Sequence, residues 1–168
     1  MAASSLVKAA HGHPIIGWRE WLALPDLGIP AIKAKIDTGA RTSSLHTFSI
    51  EEYVVDGLAM VRFGIHPLQK RRDVELICEA PVVDRRRVKD SGGHSEMRHV
   101  IETTAVLGSR RWTIQITLTN RDGMMFRMLL GRAALAEQFI IDSGRSYRGG
   151  RRPAGVYPGI SRRRGKKK

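Results

Sequence analysis

Asp37, Thr38, Gly39 and Ala40 follow directly on an alternation of Ile32, Ala34 and Ile36 with Lys33 and Lys35. An ionised aspartate only accepts hydrogen bonds, and a glycine two residues on lets backbone N–H groups approach the carboxylate closely. The threonine hydroxyl beside it both donates and accepts, so it can cross-brace the turn. Such a device holds one carboxylate rigidly, as general acid or base chemistry requires. By itself the string also describes an ordinary Asx turn. Support comes from Leu129, Leu130, Gly131 and Arg132, an apolar pair and a glycine that open a short helical stretch 94 residues further on.

Zinc is the competing chemistry. His94, Glu96 and His99 form the densest group of ligand-type residues. A metalloprotease helix places its two histidines four apart with a glutamate after the first, whereas here the spacing is five and Gly92 and Gly93 argue against a helix. A composite site from His46, Cys78, His94 and Asp37 stays open. No G-x-x-x-x-G-K-[ST] loop is present, so the sequence gives no basis for nucleotide binding, and neither a metal nor a cofactor is expected.

The carrier of these residues is a chain of 168 residues with a formal net charge of +13. Residues 143–168 hold ten Lys and Arg and no acid, which leaves the first 142 residues at +3. The organisation expected is a flexible N-terminus over 1–14, a domain over 15–142 and a disordered basic tail over 143–168 that can contact RNA or a ribosome through its charge. No stretch reaches the ~18 apolar residues of a membrane span, and the N-terminus lacks the apolar run of a secretory signal. With a single cysteine, Cys78, the expectation is a cytoplasmic protein that makes no membrane contact.

Period two dominates the domain, as in β-strands. Trp112, Ile114, Ile116 and Leu118 alternate with polar residues. Strands are also expected around Ile32–Ile36, Ala59–Ile65 after the Asp56 and Gly57 turn, Val74–Cys78, Ile101–Leu107 and Met124–Leu130. Only 132–139 reads as helical. The class is mainly β with one short C-terminal helix.

A strand running into D-T-G-A, with an apolar pair and glycine opening a helix downstream, resembles the retroviral type of aspartic protease over about residues 18–142. IKAKIDTGARTSSLH, VRFGIHP, RRVKDSGGHSEMRHVIET and LTNRDGMMFRMLLGRAAL, in that order, are similar to a bacterial family with a retropepsin-like fold. It carries the name ATP-dependent zinc protease and is often encoded beside, or fused to, the ATP-grasp glutamate ligase RimK. The resemblance implies a closed β-barrel, one half-enzyme per chain, and a homodimer whose two Asp37 carboxylates face each other. Asp37 would be the catalytic group, with Thr38, Gly39 and Ala40 shaping its turn and Leu130, Gly131 and Arg132 supporting it.

Two such carboxylates at about 3 Å repel by roughly 5 kcal/mol at an effective dielectric near 20, so they share one proton, and no metal is needed. Alanine at 40 offers the turn no hydroxyl, which points to an activity optimum nearer neutrality than in gastric-type enzymes. Ser91, Gly92, Gly93, His94, Ser95 and Glu96 stand where retropepsin-like chains carry a flap. The glycines would serve as hinge and the polar residues would touch substrate; the alternative is an ordinary surface loop. Arg87, Lys89, Arg98 and Arg121 would make the cleft cationic and suit an acidic protein substrate such as a glutamate-extended tail. Asp142, in a second D-S-G, has only 26 residues after it, too few for a second lobe, and is expected at the end of the last strand near the dimer contact. A noncatalytic module that grips a peptide or ribosomal protein is the rival reading.

Overall fold

The computed structural model describes residues 12–90, 92–151 and 155–157. In chain order the elements are β1 (Ile15–Ile16), β2 (Arg19–Leu24), a 3-10 turn (Pro25–Leu27), β3 (Ile29–Asp37), β4 (Ser43–His46), β5 (Ser49–Val55), β6 (Leu58–Ile65), β7 (Leu76–Pro81) and β8 (Asp84–Lys89). Then come β9 (Ser95–Leu107), β10 (Arg110–Thr119), β11 (Met128–Gly131), α1 (Arg132–Leu135) and β12 (Ile140–Ile141). The mainly β class is as expected.

The principal sheet runs β10-β4-β11-β3-β2-β9-β8, and β9 also pairs with β10. Six of its strands thereby close into a ring, with β8 hanging from β9 as a hairpin arm. Alternation decides what fills the ring. Ile32, Ala34 and Ile36 of β3 are buried together with Leu22, Leu24, Ile101, Ala105, Leu107, Ile116, Leu118 and Leu130, while Lys33 and Lys35 face outward. Strands β5, β6 and β7 make a separate antiparallel sheet that adds Val61 and Phe63 to the same core.

Several strands differ from the period-two expectation. The strand anticipated from Met124 starts only at Met128, because Arg127 is buried and its guanidinium is bonded to the Asp122 carbonyl, which fixes the preceding residues as a loop. Val74 lies outside β7, and the helix stops at Leu135 instead of Phe139. Glu137 has φ 60°, so the chain turns away there and Ile140 can pair in parallel with Ile15. Phe139 packs edge-on against Trp112, 5.1 Å between centroids.

The tail also departs from expectation in its described part. Trp18 N–H donates to Arg145 O at 2.9 Å, and Tyr147 N–H donates to Arg19 O at 3.0 Å. Glu20 is the physical reason for this docking. Its carboxylate is fully buried and accepts the N–H groups of Arg148 (2.9 Å) and Gly149 (2.6 Å). Burial raises the Glu20 carboxyl above the ordinary range, and the backbone donors only partly offset it. Tyr157, buried, donates its hydroxyl to Ala31 O. Residues 1–11, 152–154 and 158–168 of the two expected extensions lie outside the described residues.

Candidate active site

Asp37 is the last residue of β3, and its position is fixed from the far end of the sequence. β11 runs parallel to β3 with Leu130 beside Ile36 and Gly131 beside Asp37. After Gly131 the chain crosses behind the turn: Arg132 N–H donates to Ala40 O at 2.8 Å and Ala133 N–H to Arg41 O at 2.9 Å. The Arg132 guanidinium donates to Thr38 O, also at 2.8 Å. Gly131 is needed for steric reasons, since a Cβ there would stand 2.6 Å from the carbonyl carbon of Thr42 and 2.8 Å from Ser43 N. Ser43, which the sequence did not single out, accepts the Gly131 N–H on its hydroxyl at 2.9 Å. Leu130, Gly131 and Arg132 thus meet the turn that sequence places 94 residues away.

Within the turn, Gly39 N–H donates to Asp37 Oδ1 at 3.1 Å and Ala40 N–H donates to Asp37 O at 3.3 Å. Thr38 and Gly39 are exposed, and Asp37 and Ala40 are half-buried. One backbone donor orients the carboxylate, and no salt bridge involves it among the described residues. A carboxylate so placed can accept a proton from water, or share one with a second carboxylate.

The hairpin between β8 and β9 is a different construction. Its centre is Asp90, whose carboxylate accepts the N–H groups of Gly92 (3.0 Å) and His94 (2.9 Å) and the guanidinium of Arg121 (2.6 Å). Arg121 first, then the His94 N–H, hold the Asp90 carboxyl down at about 2. Gly93, at φ +83°, makes the left-handed step of the turn. His94 and Ser95 are exposed, and Ser91 lies outside the described residues. Glu96 accepts from Arg98 (2.7 Å) and from the Thr119 hydroxyl (3.1 Å). Burial works against its ionisation, yet these partners keep its carboxyl below the usual range. The tip is therefore anchored to the loop after β10, and no hydrogen bond joins it to the Asp37 turn among the described residues. Of the four cations expected to line a cleft, Arg98 and Arg121 are neutralised by Glu96 and Asp90, while Arg87 and Lys89 are exposed.

The residues weighed as zinc ligands are dispersed. His46 is buried and donates through Nδ1 to Phe126 O at 2.7 Å, and burial holds its pKa below the usual value. Cys78 sits in the core with its thiol pushed up to about 12 by burial. His99 pairs with Glu52 at 2.8 Å. Among the described residues no three His, Cys, Asp or Glu converge as a metal-binding group. Asp142 accepts the Gly144 N–H at 3.0 Å, and its own N–H donates to Ile16 O at 2.8 Å, so it closes the β1–β12 pair as a plain Asx turn.

A β ring that braces an Asp-Thr-Gly-Ala turn with a glycine-led helix defines the retropepsin-like class. The model of the RimB-like family, described as retropepsin-like aspartic endopeptidase RimB, matches residues 15–152, and the chain belongs to that family. It is 49% identical over 133 residues to a probable alpha-L-glutamate ligase of Shewanella pealeana, covering 79% of this chain and 29% of that one. A probable alpha-L-glutamate ligase of Desulfotalea psychrophila is 50% identical over 128 residues, covering 76% and 28%. The chain thus spans less than a third of the length of these relatives. A crystal structure of a Legionella pneumophila protein of unknown function is similar, with a TM-score of 0.66 and 29% identity over 79% of this chain and 95% of that one. No helix among the described residues is long and apolar enough to cross a membrane.

Proposed function

We propose that the chain is an aspartic endopeptidase that works as a homodimer, with Asp37 of each copy forming the catalytic pair. The observation that carries this reading is the parallel pairing of β3 with β11, which sets Gly131 beside Asp37 and locks the turn through Arg132 while leaving the carboxylate with a single backbone donor. Two such carboxylates facing each other hold one proton between them. One then takes a proton from a bound water that attacks the scissile carbonyl carbon, and the other protonates the carbonyl oxygen. The β8–β9 hairpin would close over an extended peptide, which strand-like backbone hydrogen bonds would align. Its tether between Arg121 and Asp90 sets the resting position.

The proposed substrates are acidic, glutamate-extended or ribosome-associated proteins, in functional partnership with an ATP-grasp ligase. The name alpha-L-glutamate ligase on the longer relatives supports that partnership. The same observation favours a second reading, a noncatalytic module that grips a peptide or ribosomal protein beside a ligase. Purified protein tested on unfolded and glutamylated polypeptides separates them. Hydrolysis that Asp37→Asn abolishes while light scattering still shows a dimer supports the peptidase, and absence of any hydrolysis supports the module. Pepstatin-type inhibition without chelator sensitivity supports aspartic chemistry, and the reverse pattern supports the zinc chemistry in the older family name.

A further inference from the structure

The cations of this domain fall into two sets. Arg62, Arg85, Arg98 and Arg121 each have a carboxylate partner. The outward face of β2 and β3 is different. Arg19 stands opposite Lys35 and Trp21 opposite Lys33, so these four side chains share the face that points away from Leu22, Ile32 and Ala34. The segment after β12 crosses the same face at Tyr147, whose ring meets Arg19 and Lys33, and the exposed Arg148 and Arg151 follow it in the chain.

Aromatic rings hold two of these cations in place. The Arg19 guanidinium lies 4.6 Å from the Trp18 ring centroid and 5.0 Å from that of Tyr147, and its Nε donates to Ser146 Oγ at 3.1 Å. Lys33 Nζ lies 5.4 Å from the Trp21 centroid and 5.6 Å from Tyr147, and donates to Gln69 at 2.8 Å. Among the described residues Arg19, Lys33, Lys35, Arg148 and Arg151 have no ion-pair partner; Glu20 is buried on the opposite face of β2, and Asp37 ends β3 two residues beyond Lys35. Beyond Arg151 the sequence adds seven more Lys and Arg and no acid.

We propose that this face binds the phosphodiester backbone of single-stranded nucleic acid. A row of unneutralised cations needs a polyanion, and cations already fixed against rings lose less freedom on pairing with phosphate than free side chains do. Arginine interleaved with aromatic side chains is the combination that tracks a single strand without reading its sequence. The proposal does not depend on proteolysis, and Asp37→Asn should bind as the parent does.

Fluorescence anisotropy of the full chain with labelled oligouridine and oligothymidine of equal length, over a salt series, tests it. The parent should bind both within a few-fold. Lys35→Ala/Arg148→Ala/Arg151→Ala replaces only exposed side chains, so its melting temperature should stay put. Its affinity should fall at least about tenfold, and its log K against log salt slope should flatten by about 2, three contacts at roughly 0.7 each. Arg19→Lys keeps the charge but loses the planar stack and should fall less than the triple variant. Parent-like binding by the triple variant overturns the proposal, as does absence of binding by the parent at low salt. Equal competition by an oligoglutamate peptide of matched charge would assign the face to an acidic protein and overturn it too.

Discussion

Asp37 and Asp90 each head a turn in which a glycine two residues on donates to Oδ1, at 3.1 Å and 3.0 Å. There the likeness ends. Asp90 also takes the His94 N–H and a guanidinium, so its lone pairs are engaged and its role is to hold a hairpin tip. Asp37 takes no further side chain. Its turn is braced through backbone carbonyls, with Thr38 O and Ala40 O receiving Arg132. A turn held by its own side chain has no carboxylate left for chemistry, whereas one held by its backbone does.

The sharpest way to break this contrast is to remove each carboxylate. Asp37→Asn should lower kcat on the order of 10³-fold with melting unchanged, whereas Asp90→Asn should cost only a few-fold, in KM more than kcat. Parent-like kinetics for the first variant would end the comparison. Next in size is the backbone brace. Gly131→Ala drives a Cβ into the Thr42–Ser43 backbone, and should cost about 1–3 kcal/mol in urea unfolding and loosen the Asp37 turn in hydrogen exchange.

A third carboxylate, Glu20, extends the comparison. Glu20→Ala leaves the Arg148 and Gly149 N–H groups without an acceptor, a loss of about 1–3 kcal/mol seen in unfolding and as faster exchange at 147–150. The smallest effects are in pH. Asp90 falls from 3.8 to about 2 on folding, so its contribution is present above pH 3.8 and is lost as pH drops through 2. Glu20 is raised above 4.5, so it favours the fold most below 4.5 and that contribution is lost as pH rises through its folded value. Hydrogen exchange should show the hairpin tip opening in acid.

Sequence made some elements plain and hid others for physical reasons. β3, β6 and β10 alternate cleanly because one face is apolar. β4, with Ser43, Ser44 and His46, reads as polar, yet every residue of it is buried between β10 and β11, where Ser43, through its hydroxyl and carbonyl, bonds Gly131 and Thr117. β2 places a glutamate at a core-side position, and only the docked tail explains it. β8, Asp84–Lys89, pairs along one edge only, so its charges stay in water. The Asp37 turn and Gly131 were visible as spaced motifs, but Ser43 and Asp90 were not, because their partners lie 88 and 31 residues away.

The β3–β11 pairing also sets when the site can exist. A contact 94 residues apart closes most of the domain into one loop, and such long-range pairing is intrinsically slow to form. A nascent or partly unfolded chain that has made β3 still lacks the strand and helix that brace its aspartate. Fragments ending before Met128 would carry the Asp37 turn unbraced, so under the proposed peptidase reading any activity should appear only once β11 has paired with β3.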